Sequence, residues 1–185
     1  MRLIAVVMFS CILCGCAPNN SALDRAVRLR EELLAADTCS FDISVTAHYP
    51  DAAYQFQLNC SADRNGTLCF TVTSPETIRG ICGEISSDTA ALTFDDKVLA
   101  FPILADDRLT PVSAPWIFYS TLQSGYLTGC METERGLLLS IDDSFFENPL
   151  HLQIHTDLSD SPVYAEVYYQ NKMVLSLDIS NFLLL

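Results

Sequence analysis

From Cys39 the sequence takes up a period of two and keeps it, hairpin after hairpin, to the C-terminus. Phe41, Ile43, Val45 and Ala47 alternate with Asp42, Ser44, Thr46 and His48. After Tyr49-Pro50-Asp51, Tyr54, Phe56, Leu58 and Cys60 alternate with Gln55, Gln57 and Asn59. Alternation of this kind puts one face of each strand in a core and the other in solvent, as antiparallel sheets allow. Facing the two apolar rows predicts a register in which Phe41 opposes Leu58, Ile43 opposes Phe56 and Val45 opposes Tyr54. That register sets Cys39 opposite Cys60 and makes the pair a disulfide candidate. The turn Asp63-Arg64-Asn65-Gly66 follows, with Gly66 suited to positive φ. Leu68, Phe70 and Val72 then share the face of Leu58, and Cys69 points the other way.

The pattern continues. Gly80 and Gly83 mark bends in 78–86, and Ala91 to Phe94 with Val98 to Phe101 flank Asp95-Asp96-Lys97 as a hairpin. The stretch 102–115 has three Pro and little alternation, which predicts a long loop. A short helix is expected over 116–122, capped by Ser113 and closed by Gly125. Strands follow over 126–131, 137–142, 150–158, 163–169 and 173–182, about ten in all. Before the first strand, Ser21-Ala22-Leu23-Asp24 has the layout of a capping box. Leu23, Ala26, Val27, Leu33 and Leu34 then give a helix over 21–36 an apolar stripe. The class is α+β, mainly β. A curled antiparallel sheet, an unclosed barrel of about ten strands, carries an N-terminal helix and a short inserted helix over its apolar face.

The 185 residues, half of them hydrophobic, suit one domain with a sizeable core. Lys+Arg 10 against Asp+Glu 23 gives a net charge of −13. Gripping a phosphate backbone needs clustered cations, so nucleic acid is not an expected partner.

The first residues are an address. Met1-Arg2 precedes the apolar run 3–13, too short to span a bilayer as a helix. Leu13-Cys14-Gly15-Cys16 resembles the lipobox of bacterial lipoproteins: an aliphatic residue, two small ones, then the Cys whose thiol takes a diacylglycerol. The resemblance implies a signal peptide over 1–15, Cys16 as the lipidated N-terminus, a tether over 16–20 and the domain over 21–185. It places the protein on the extracytoplasmic face of the cell membrane, or on the outer membrane if the source is diderm. Removal of Arg2, the only charge before Cys16, makes the mature net charge −14, and an acidic body stands off an anionic surface. Five Cys follow Cys16: Cys39, Cys60, Cys69, Cys82 and Cys130. With no C-x-x-C among them, neither a redox nor a zinc motif is present.

The order of helix, meander, apolar insertion and second meander resembles the LolA/LolB lipoprotein carriers and the LppX-type lipid carriers, which are unclosed β-barrels with helices in the mouth. Segments FTVTSPETIRGI from Phe70, LTFDD from Leu92, GYLT from Gly125, PVYAEV from Pro162 and LSLDISNF ending at Phe182 are also similar to lipoproteins of anaerobic monoderm bacteria. These resemblances imply the fold; no carrier's functional residue is matched to a position here.

Little in the chain suggests catalysis. His151 and His155, four apart on a strand with Gln153 and Asp157, are separated by about 13 Å and cannot share an ion. That places them on a solvated outer face. The pairs Asp95-Asp96, Asp106-Asp107 and Asp142-Asp143 fall at turns and form no calcium loop. No nucleophile elbow, H-E-x-x-H or phosphate loop occurs. The expectation is a non-enzyme without metal or cofactor. Phe101, Ile103, Leu104, Trp116, Ile117, Phe118, Tyr119 and Tyr126 gather around the irregular middle. They either complete the core or line a cavity for an acyl chain or other hydrophobic ligand. The alternative is an accessory or scaffold lipoprotein of an envelope complex with no ligand cavity.

Overall fold

A computed structural model describes residues 21–86, 90–93 and 110–185. The expected helices and strands that fall among these residues are present. Helix α1 spans Ser21–Ala35. Strands β1 (Thr38–His48), β2 (Ala53–Asp63), β3 (Leu68–Ser74), β4 (Cys82–Ile85) and β5 (Ala90–Thr93) form a first meander. Helix α2 (Ala114–Ser124) follows, and β6 (Tyr126–Thr133), β7 (Gly136–Asp142), β8 (Leu150–Thr156), β9 (Pro162–Tyr169) and β10 (Lys172–Leu184) form a second. All ten strands make one antiparallel sheet in the order β5-β4-β3-β2-β1-β10-β9-β8-β7-β6. The two meanders thus join through their first and last strands, and β5 and β6 form the ends of an unclosed sheet. The expected strand 98–101 lies outside the described residues.

Period two fixes the faces. Phe41, Ile43, Val45 and Ala47 are buried with Phe56, Leu58, Cys60, Phe70 and Val72, and from the second meander with Leu139, Ile141, Leu152, Ile154, Val167 and Leu177. Cys69 is exposed, as its place in the alternation requires. Gly66 has φ +81, and its turn is closed by Asp63 Oδ1 accepting from the Thr67 amide at 2.9 Å.

Four local expectations are corrected. The register of β1 with β2 is shifted by two residues: Phe41 faces Cys60, Ile43 faces Leu58, Val45 faces Phe56 and Cys39 faces Ala62. A shift of two keeps each side chain on its own face of the sheet, so alternation alone could not distinguish the two registers. Tyr54, expected inside opposite Val45, is 43% exposed opposite Ala47 at the hairpin end. The Ser21 hydroxyl donates to Glu132 Oε1 on β6 at 2.7 Å instead of making the predicted cap. The buried stripe of α1 is Ala22, Ala26, Leu29 and Leu33, while Leu23, Val27 and Leu34 are exposed. The small Ala residues let the helix lie close, and the larger side chains beside them are turned outward.

Candidate functional site

The sheet's apolar face is covered by the two helices, so the site is built from α2 downward. Pro115 in the first turn suits a helix start. The Ser113 hydroxyl donates to the Thr110 carbonyl at 2.7 Å and does not cap the helix. At the other end Gly125 is extended (φ −68, ψ 170), not left-handed. It is needed for room: a Cβ there would stand 2.6 Å from the Thr121 carbonyl oxygen and 2.8 Å from Ile141 Cγ2.

Helix α2 sends Phe118, Tyr119 and Leu122 wholly into the core. Phe118 meets Phe41 edge-on, with centroids 5.5 Å apart, and Phe182 at 6.4 Å, so β1, β10 and α2 share one aromatic cluster. The Tyr119 hydroxyl donates to the Asp63 carbonyl at 3.4 Å, and burial pushes its pKa up. Trp116 and Ile117 are half-buried and pack on the edge of this core. Tyr126, past the helix end, is 39% exposed against Phe145, itself 82% exposed. The structure therefore brings Trp116, Ile117, Phe118 and Tyr119 together on one helix and leaves Tyr126 on the rim. Phe101, Ile103 and Leu104 lie outside the described residues, as does Cys16.

Helix α1 fastens this cover. Arg30 Nη2 donates to the Thr121 carbonyl at 3.2 Å and to the Gly125 carbonyl at 2.7 Å. These are acceptors at the negative end of α2, where a cation is favoured. Burial lowers the Arg30 pKa, and its Nε is buried without a partner among the described residues. One turn away, Arg25 and Arg28 converge on Asp160 in the β8–β9 turn, Arg28 at 3.0 Å, and Arg25 also reaches Glu132 on β6 at 3.3 Å. None of these residues stood out in the sequence. The signal available was Arg at 25 and 28 on a helix and Asp in a distant turn, which says nothing about their meeting.

The thiols contribute little. Cys39 and Cys60 are free and buried. In the observed register they are diagonal neighbours, typically about 7–8 Å apart at Cα, a distance at or beyond the limit for a bridge. Burial pushes the Cys39 pKa up to about 12 and that of Cys60 further still. On the outer face His151 Nδ1 lies 2.7 Å from Asp142 Oδ1, and His155 packs on Tyr164. Asp143 Oδ1 accepts from the Leu150 amide at 2.9 Å, a turn role. Asp95, Asp96, Asp106 and Asp107 lie outside the described residues. Among the described residues no group of His, Cys, Asp and Glu could hold a metal, and no helix is long and apolar enough to cross a membrane. Among the described residues, grooves of about 520–580 Å³ open on the outer face and its rim, away from α2.

No family model and no curated protein matches the sequence. Among solved structures, the chain is similar to a LolA superfamily protein from Nitrosomonas europaea, at 12% identity over 89% of this chain and 93% of that one, TM-score 0.46. It is similar to a conserved protein from Thermus thermophilus at 10% identity over 90% and 88%, TM-score 0.45. The lipoprotein LppX of Mycobacterium tuberculosis aligns at 13% identity over 88% and 96%, TM-score 0.38.

Proposed function

We propose that the protein is a non-enzymatic, extracytoplasmic domain anchored to a membrane through a lipidated Cys16, with an apolar ligand such as an acyl chain held between the inner sheet face and α2. The observation that carries this reading is the construction of α2. It lays Phe118, Tyr119 and Leu122 on a continuous apolar sheet face and keeps Trp116 and Ile117 half-buried at its edge. Phe118 and Tyr119 fill the space in the present state, so a ligand enters by lifting α2 and replacing its contacts.

The single Trp of the chain, Trp116, lies on that helix and reports on it. Titrating the full chain with palmitate should shift Trp116 emission, and native mass spectrometry of protein purified without detergent should show a lipid adduct. The absence of both an adduct and an emission change would overturn the ligand. The anchor is tested separately: Cys16→Ala should leave the membrane fraction, and retention there would overturn it.

A second reading, a scaffold lipoprotein of an envelope complex with no ligand cavity, is favoured by one observation. Phe145 and Phe146, in the β7–β8 loop, are 82% and 78% exposed beside Tyr126, an apolar patch of the kind that docks partners. It predicts capture of an envelope protein that is lost in a Phe145→Ser, Phe146→Ser variant.

A further inference from the structure

One of the outer grooves, about 580 Å³, lies where the row Asp142, His151, Tyr168 crosses β7, β8 and β9. Its size is that of a small-molecule site. The loop before β8 and the β9–β10 hairpin close its sides, through Asn148, Gln170 and Asn171, and Gln153 extends its floor.

The lining has a definite chemistry. Four primary amides line the groove, Asn148, Gln153, Gln170 and Asn171, a residue type that carries both donors and acceptors, and Gln170 Nε2 donates to the Tyr169 hydroxyl at 3.4 Å. His151 is oriented by Asp142 through its Nδ1, which leaves Nε2 as the second polar atom of a side chain that is 35% exposed. The Tyr168 hydroxyl donates to Glu166 Oε2 at 2.9 Å, which fixes the ring beside His151. No Lys or Arg lines the groove, so a phosphate or carboxylate finds no counter-charge. The single carboxylate is engaged by His151, and Pro149 is the one aliphatic side chain of the lining, too little to seat an acyl chain. What matches mixed donors and acceptors beside one fixed ring is a neutral, polyhydroxylated molecule.

The backbone points the same way. Asn148 (φ 58), Gln170 (φ 48) and Asn171 (φ 62) are three of the five non-glycine residues with positive φ among the described residues. A two-residue hairpin of this kind favours Asn or Asp followed by Gly. Asn171 suits such a turn, but Gln170 keeps a long amide side chain where Asn or glycine would be easier, at a backbone cost.

We propose that this groove is a glycan-binding site for a neutral hexose or N-acetylhexosamine unit. It lies on the opposite side of the sheet from α2, so it stands or falls apart from the apolar-ligand reading. The test is an amide-shift titration of the ¹⁵N-labelled full chain with chitotriose, cellotriose and maltotriose. Shifts centred on His151, Gln153, Tyr168 and Gln170, with a Kd of about 1 mM or tighter for at least one sugar, are expected. Gln153→Ala with Gln170→Gly should weaken that binding at least tenfold, about the loss of one good hydrogen bond to the ligand. Gln170→Gly should leave the unfolding midpoint the same or higher, since glycine relieves the left-handed backbone. No shift with any of the three sugars, shifts centred elsewhere, or unchanged affinity in the double variant would each overturn the proposal.

Discussion

Cys39 and Cys60 lie on the inner face of the first hairpin, diagonal to each other, with burial holding both thiols protonated. Cys69 and Cys82 lie exposed on the outer face. Iodoacetamide applied to the native protein should therefore modify Cys69 and Cys82 first, and Cys39 and Cys60 only after denaturation. Peptide mass mapping reads the order, and early labelling of Cys60 would contradict its place on the buried face. Gly125 makes a second residue-scale case, because its role is space and not φ. Gly125→Ala pushes a Cβ onto the Thr121 carbonyl oxygen and Ile141 Cγ2, neither of which has room to yield. It should lower stability by about 2 kcal/mol, the usual cost of overpacking, seen as a lower urea midpoint with an unchanged slope. A glycine at 125 was visible in the sequence. That it is needed against Ile141, on a strand that follows β6, was not.

At the scale of elements, α1 is held by charge as much as by its Ala and Leu stripe. Asp160 takes Arg25 and Arg28 together, and the hydrogen bond from Arg25 is the main reason its carboxyl sits below the ordinary range. A depressed carboxyl stabilises the fold fully above its unfolded pKa, and this is lost as pH falls through the lowered value. Asp160→Asn should thus cost about 1 kcal/mol at pH 7, and the gap from the parent should close well below pH 4. Asn is the apt replacement, since position 160 has φ +65 and Asn tolerates the left-handed region. Urea unfolding at neutral and acid pH measures both arms. The same element shows how sequence misleads. The larger side chains Leu23, Val27 and Leu34 suggested the core stripe, but Ala22, Ala26, Leu29 and Leu33 form it. Those two stripes are adjacent on one helix, and only the neighbour's shape chooses between them.

At the scale of the molecule, β1 and β10 occupy the centre of the sheet, each paired on both sides, and the final residues complete the seam through Thr38 and Leu185. Phe41, Phe118 and Phe182 cross it. Hydrogen exchange should be slowest in β1 and β10 and fastest at β4–β5 and β6, because central strands open only with the whole sheet. Mass spectrometry of exchanged peptides tests this, and equal protection at the ends would refute it. Helix α1 reaches across to β6 and β7 and to α2, so the N-terminal element helps cover the second meander.

Among the described residues, the sequence by itself determined the strands, the two helices, the inner and outer faces of the long strands and the mainly β class, because side-chain alternation and turn chemistry are local. It also marked Trp116 to Tyr119 as an apolar group. Tertiary structure alone decided the β1–β2 register, the joining of first strand to last, the face α1 presents, the Arg30 clamp on α2 and the convergence of Asp142, His151, Tyr168 and the hairpin amides on one groove. Each of these is a pairing between residues far apart in the chain. Several pairings satisfy the same local pattern, and the choice among them rests on shape and charge that meet only when the chain has folded.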